Sequence, residues 1–382
     1  MGADEELKAC KSPPTDHGQN PLVLDDDGDL ILVAGGRTFH NKAVFKVDAS
    51  ALRRASPVWK AMLFGPWSES KPKDGSKWLV RLPADDTDAL TVVLGIIHNV
   101  YDSVPSDTIT PTLMWKILVV CDKYDMTRIL KPWALSWSKH VRGLNTNYEK
   151  AIFIAWELGD EAWFASRFKD LVFKSCVTAQ GRLTCLSSGF MIWDFATLTH
   201  FGPDRMPGKT TSSLSPSSIL EDIASIRLFL VESLLGFLNA EIDLRLSGTA
   251  QANNGQHACV LKDPACNDLL LGGIIRNTSM TLKTTIHPRE ATKIEISVES
   301  LQNACSAAFE SLKPHANVII NCNSYMSASS TLHADCNPAK RFDSFILKKR
   351  AEALSKIENI LQSDDYKGRM AKQRENIGWK SL

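Results

Sequence analysis

Residues 45–70 read FKVDASALRRASPVWKAMLFGPWSES, and three kinds of local chemistry follow one another within them. FKV closes an apolar run of strand length. Ser56 before Pro57 marks a helix start, because a serine hydroxyl accepts from the unpaired first amides of a helix and proline at the first position forfeits no hydrogen bond. Val58, Trp59, Met62 and Leu63 then share one face, which predicts a helix that turns inward and stops at Gly65 and Pro66. Trp67 follows in the loop, and Glu69 follows Trp67. A side chain of that size outside any apolar period either folds back on the preceding helix or meets a partner.

Working outward, DLILVA from Asp29 and WLVRL from Trp78 are further apolar runs of strand length, and AVFKV lies between them. Asp85 and Asp86 are adjacent, which suits a helix start and not an acid/base pair. Leu90, Val93, Leu94 and Ile97 carry that helix, and Leu113, Ile117, Leu118 and Cys121 carry another. Strands come early and helices dominate afterwards. The expected class is α+β, with a small sheet flanked by helices at the N-terminus and a mostly α-helical C-terminal region.

The bulk composition restricts function. The chain has 382 residues, 44% of them hydrophobic, with ten Trp, enough for more than one core. Lys and Arg number 44 against 43 Asp and Glu, so no net field draws the protein to nucleic acid or anionic lipid. MGADEELKAC is acidic and lacks an apolar signal region, and no uncharged apolar run reaches spanning length; an intracellular protein, in cytoplasm or nucleus, is expected. Gly2 is followed by Glu6 where myristoylation wants Ser or Thr, and the terminal KSL is not the peroxisomal tripeptide. Nine Cys in a long chain read as thiols or metal ligands and not as a disulfide frame, which makes the sequon at Asn277 incidental.

DLILVAGG, FKVDASALRRASPVWKAMLFGPWSES, WLVRLPADDTDALTVVLGIIHNVYD and VVCDKYDMTRIL resemble, in order and spacing, the successive signatures of a BTB/POZ domain, of the type found in filamentous fungi. The resemblance covers roughly Asp26 to Arg142. It rests on Asp29 at the first strand, Leu52, Ser56 and Trp59 in a helical hairpin, and Asp122, Lys123 and Tyr124 in a later helix. It implies a non-enzymatic interaction protein that self-associates or binds a cullin scaffold as a ubiquitin-ligase substrate adaptor. In such adaptors a hydrophobic residue, any residue and a Glu after the Ser-Pro helix contact the cullin, and Trp67 to Glu69 stand at that place. Asp48 and Ala49 occupy positions where many members carry His-Lys, so a corepressor pocket built on that charge is not carried over. YEKAIFIAWELGDEAWFASRFKDLVF resembles the BACK-like helical extension that follows many BTB domains. A dimerising transcriptional or signalling scaffold without a ligase role is the alternative.

The organisation that follows has a mobile tail over 1–25, the BTB/POZ domain over 26–142, the BACK-like extension over 143–200 and a linker over 201–218 rich in Gly, Pro, Ser and Thr. A helical region over 219–362 carries a Cys/His cluster, and a charged tail covers 363–382. Ser218 and Glu221 form a capping box ahead of two apolar stripes, Ile223, Ile226, Leu230 and Phe237 beside Leu228, Val231, Leu235 and Leu238, so this long helix has contacts on two sides. Phe342, Phe345, Ile346, Leu354, Ile357 and Leu361 suit a last amphipathic helix.

Three stretches imitate chemistry. GPDRMPGKT resembles a phosphate-binding loop, but five residues instead of four separate Gly202 from Gly208, and Pro216 and serines follow Lys209 where a helix is needed. A phosphate-binding enzyme at Gly202 to Thr210 is therefore the remote reading. DDDGDL places Gly28 fourth from Asp25 where a calcium loop needs it sixth. Lys340, Arg341, Lys348, Lys349 and Arg350 form a basic cluster on the polar face of an amphipathic helix, which suits a solvated face and not base stacking. Neither His-Glu-x-x-His nor Gly-x-Ser-x-Gly occurs.

Cys259, Cys266, His333 and Cys336 are the candidate metal ligands, with His257 and Cys322 in reserve. His333 and Cys336 have the close spacing that lets two ligands reach one tetrahedral zinc, whereas six residues separate Cys259 from Cys266, more than the usual knuckle. Buried core thiols are the other reading. Four protein ligands would make the zinc structural, tying the start of a long segment to its end. Metal analysis of chelator-free protein is expected to give about one zinc per chain, lost in Cys266→Ser together with protease resistance after residue 250. Metal-free protein that already resists protease would return these cysteines to the core.

Overall fold

The computed structural model describes residues 20–36, 42–144, 147–178, 183–184, 216–247, 264–282, 290–310, 312 and 337–379. The chain is mixed α+β and mostly helical, and it divides into two compact units, Met1–Val141 and Arg142–Leu382. In the first unit, β1 (Leu22–Val23), β2 (Leu30–Gly35), β3 (Lys42–Val47) and β4 (Leu79–Leu82) form one sheet in the order β1-β3-β2-β4. β2 and β3 pair antiparallel from Leu30 opposite Val47 to Gly35 opposite Lys42. β4 joins β2 in parallel, with Ile31 opposite Leu79 and Ala34 opposite Leu82. The alternation in β4 puts Val80 and Leu82 inside and Leu79 and Arg81 outside.

Helices α1 (Ala49–Ala55), α2 (Pro57–Phe64), α3 (Thr87–Ile97), α4 (Pro111–Lys123) and α5 (Ala134–Arg142) complete the unit. Asp48 caps α1 by accepting from the amides of Ser50 and Ala51. Ser56 caps α2 by accepting from Trp59 N, and its hydroxyl in turn donates to the carbonyl of Tyr124 at the end of α4. Trp59 stacks on Tyr124 with ring centroids 4.3 Å apart. The Tyr124 hydroxyl donates to Asp85 at 2.8 Å, and Lys123 reaches both oxygens of the same carboxylate. Burial, reinforced by the charge and hydrogen bond of Asp85, pushes the Tyr124 phenol well above its ordinary range, so it stays a donor. Asp86, beside it, caps α3 through Ala89 N.

The tail expected over 1–25 ends too late. Leu22 and Val23 lie opposite Phe45 and Lys46 of β3 and Leu24 is buried, because even two residues can extend a sheet whose edge is open.

The second unit is built around α8 (Pro216–Leu246), which follows α6 (Tyr148–Leu158), α7 (Glu161–Lys174) and the small pair β5 (Cys176–Val177) and β6 (Leu183–Thr184). After it come α9 (Pro264–Leu282), α10 (Val298–Glu310), α11 (Ala339–Leu361) and α12 (Asp364–Ile377). α8 has the length and composition to cross a membrane, yet Ile223, Ile226, Leu230, Val231, Leu234, Leu235, Leu238 and Ile242 are core residues here. Its Arg227 is buried and donates to the carbonyls of Ser175, Ile294 and Ile296, and burial lowers the guanidinium to about 10. α8 already runs from Pro216, so Ser218 stands in its first turn and not at its cap.

Two expected boundaries dissolve in this unit. Trp156, Phe164 and Phe168 of the expected separate extension share one core with α8, α10 and α11. The charged tail over 363–382 is largely helix α12, and its Tyr366, Met370 and Ile377 are buried. Sequence charge hid this, because three apolar anchors on a polar helix give a faint stripe. Buried Glu157 of α6 accepts from Arg369 and Gln373, and Arg374 pairs with Glu161. Leu354 of α11 is exposed, and Ala353 takes the inner position.

Gly159 ends α6 with φ +67°, and a Cβ there would stand 2.5 Å from the Met370 carbonyl and 2.8 Å from Arg374 N. Gly159→Ala is expected to cost about 2–4 kcal/mol through left-handed strain and overpacking. A thermal melt reads the loss, and limited proteolysis reads the release of α12. Unchanged cleavage within 364–377 would show that this close approach does not hold the helix.

Candidate functional site

The loop from Gly65 to Trp78 joins α2 to β4 and carries Trp67. Gly65 is required where α2 stops, since a Cβ would lie 2.3 Å from the Ala61 carbonyl and 3.1 Å from Cδ1 of Trp67. The indole of Trp67 therefore lies against the Gly65 backbone, and 40% of the residue remains exposed. The tryptophan rests on its own helix end without entering the core.

The loop is held in one shape by hydrogen bonds. Ser70 N donates to Trp67 O at 3.1 Å, and the Ser70 hydroxyl donates to the carbonyls of Met62 and Gly65. Trp78 is buried, and its Nε1 donates to Glu69 O at 2.8 Å. Glu69 is half-buried as a residue, and its carboxylate accepts from Ser68 Oγ at 2.8 Å in an exposed hydrogen bond. Lys71 pairs with Asp29 at 3.0 Å and lies over the Trp78 ring, while the other oxygen of Asp29 accepts from Ala49 N at 3.1 Å. One carboxylate thus ties the start of β2, the first turn of α1 and the loop together.

Phe64 is the residue that sequence reading missed. It lies off the inward face of α2 and is 43% exposed, with its ring edge-to-face on Trp78 and the Arg53 guanidinium 4.9 Å from its centroid. The signal available was its absence from the period of Val58, Trp59, Met62 and Leu63; the arginine across the hairpin gave none. Phe64 and Trp67 are two exposed apolar side chains three positions apart at the end of α2.

The remaining expected sites fall elsewhere. Cys259, His333 and Cys336, with His257 and Cys322, lie outside the described residues, as does the loop from Gly202 to Thr210. Cys266 stands in the first turn of α9. Among the described residues, no group of three or more His, Cys, Asp or Glu is placed to hold a metal ion. In the basic cluster, Arg341 pairs with Glu241, Lys349 with Glu352, and Arg350 lies 4.7 Å from the Phe173 centroid. Those three cations serve packing. Asn277 donates its side-chain amide to Ala308 O, so the sequon asparagine is occupied in helix packing. Comparison of the chain with protein-family models, with curated proteins and with solved structures found no match.

Asp29 makes the loop sensitive to acid. Burial raises its pKa, but the Lys71 hydrogen bond and charge and the Ala49 amide together outweigh that and hold it below its ordinary 3.8. A lowered folded value means that the carboxylate's contribution is fully present above pH 3.8 and is lost as pH falls through the folded value. Denaturant titrations of the protein and of Asp29→Asn are expected to differ near neutral pH and to converge once pH has fallen through the lowered folded value of Asp29. A gap that stays constant with pH would assign the effect to shape and not to charge.

Proposed function

We propose that the N-terminal unit is a BTB/POZ-type domain and that the protein is a non-enzymatic adaptor, which docks a cullin scaffold through the loop at Phe64 to Glu69 and recruits a client through its helical second unit. The observation that carries this reading is the exposure of Trp67 on a loop fixed by Ser70 and Trp78. A large apolar side chain presented on a rigid support binds with little ordering cost, which is how interface hot spots work. Glu69 beside it supplies a charge to set orientation at the rim. The order of Asp29, Ser56, Trp59 and Tyr124 along the chain supports the domain reading, since one hydrogen-bonded and stacked network now accounts for the last three.

The side chains of Trp67 and Glu69 contribute little to the core, so binding and folding separate. Trp67→Ala with Glu69→Ala is expected to abolish co-purification of a cullin while lowering stability by less than about 1 kcal/mol. A melt that drops by many degrees would make Trp67 a packing residue. Undiminished cullin capture by a stably folded variant would remove the loop from the interface.

A further inference from the structure

We propose that the Phe64–Trp67 spot accepts an acidic protein segment, one that inserts a large apolar side chain and flanks it with carboxylates; this rests on the docking reading above. Arg53 is exposed and its guanidinium sits over the Phe64 ring at 4.9 Å. Arg54 follows it, with 68% of its side chain exposed and its nearest carboxylate, Asp48, 3.8 Å away. Arg128 is exposed as well and donates through Nη2 to Arg54 O at 3.2 Å, which brings a third guanidinium to the C-terminal end of α1. That end carries the negative pole of the helix and favours cations. Among the described residues, Asp48 is the acid within ion-pair reach of Arg54, and its oxygens already accept from Ser50 N and Ala51 N.

Any partner that covers Phe64 must also desolvate Arg53, because the two are in contact. A neutral or basic partner would leave a buried guanidinium without an anion, which costs more than the apolar contact returns. A carboxylate on the partner removes that cost and makes a bidentate pair with the planar guanidinium. Arg54 and Arg128 extend the same field outward, where it steers encounter and is weakened by salt. The apolar spot thus supplies affinity, and the arginines select the sign of the partner.

The test uses the full chain and two synthetic amphipathic helical peptides, one with a phenylalanine anchor flanked by glutamates and one with glutamines in their place. Fluorescence anisotropy is expected to show the acidic peptide binding about tenfold more tightly at low salt. That preference should vanish in Arg53→Glu with Arg54→Glu and shrink as salt rises, while Trp67→Ala weakens both peptides. Arg53→Gln with Arg54→Gln replaces the reversal if the latter fails to fold by thermal melt. Equal affinity for the two peptides, no binding of either, or an acidic preference that survives removal of the arginines would overturn the proposal. Binding that depends on Trp67 but not on peptide charge would end the charge inference alone, whereas indifference of both peptides to Trp67→Ala would end the docking reading with it.

Discussion

Tyr124 is where the first unit is held together. Its ring stacks on Trp59, its carbonyl accepts from Ser56 and its hydroxyl donates to Asp85, so α2, α4 and the start of α3 meet at one buried residue. Each of those partners also does a local job, since Ser56 caps α2 and Asp85 holds Lys123. Loss of the tyrosine side chain would leave the buried Asp85 carboxylate short of one donor and Trp59 without its stacking partner, while the Ser56 bond to the backbone carbonyl would remain; a buried polar group short of a partner costs more than the bond it loses.

The loop after α2 takes its shape from what holds it at each end. α2 stops at Gly65, where no side chain fits, and the chain then turns under constraints from both ends: Ser70 bonds back to α2, and Trp78 bonds to Glu69 from the start of β4. Asp29 closes the third side through Lys71 and Ala49. A loop so fixed keeps Trp67 and Phe64 partly exposed without collapse.

The second unit follows a different rule. Its long helix α8 is apolar on two sides and therefore needs neighbours on both, which α7, α10 and α11 supply. Arg227 is one of the buried polar residues on that helix, with Glu241 and Arg245, and it binds three carbonyls from segments that are far from it in sequence. α12 docks by polar clamps around few apolar contacts. Buried Glu157 of α6 and Arg369 and buried Gln373 of α12 fix its register, a use of buried charge that specifies geometry.

Local chemistry was legible in the sequence wherever a short segment decides its own conformation. The Ser56–Pro57 cap, the Asp86 helix start, the stop at Gly65, the strand runs and the two-sided α8 all depend on neighbours within a few residues, and periodicity shows such neighbours. The exposed position of Trp67 was legible as a question and not as an answer. Pairings across long separations were not legible: β1 beside β3, Arg53 over Phe64, Asp29 with Lys71, and α12 on α6 join residues whose types fit many partners equally well. Extension and tail were read as separate pieces because a core shared by distant helices leaves no mark in either segment. Only the tertiary structure chose among those partners, since charge and apolar surface state what must be satisfied and packing alone decides by whom.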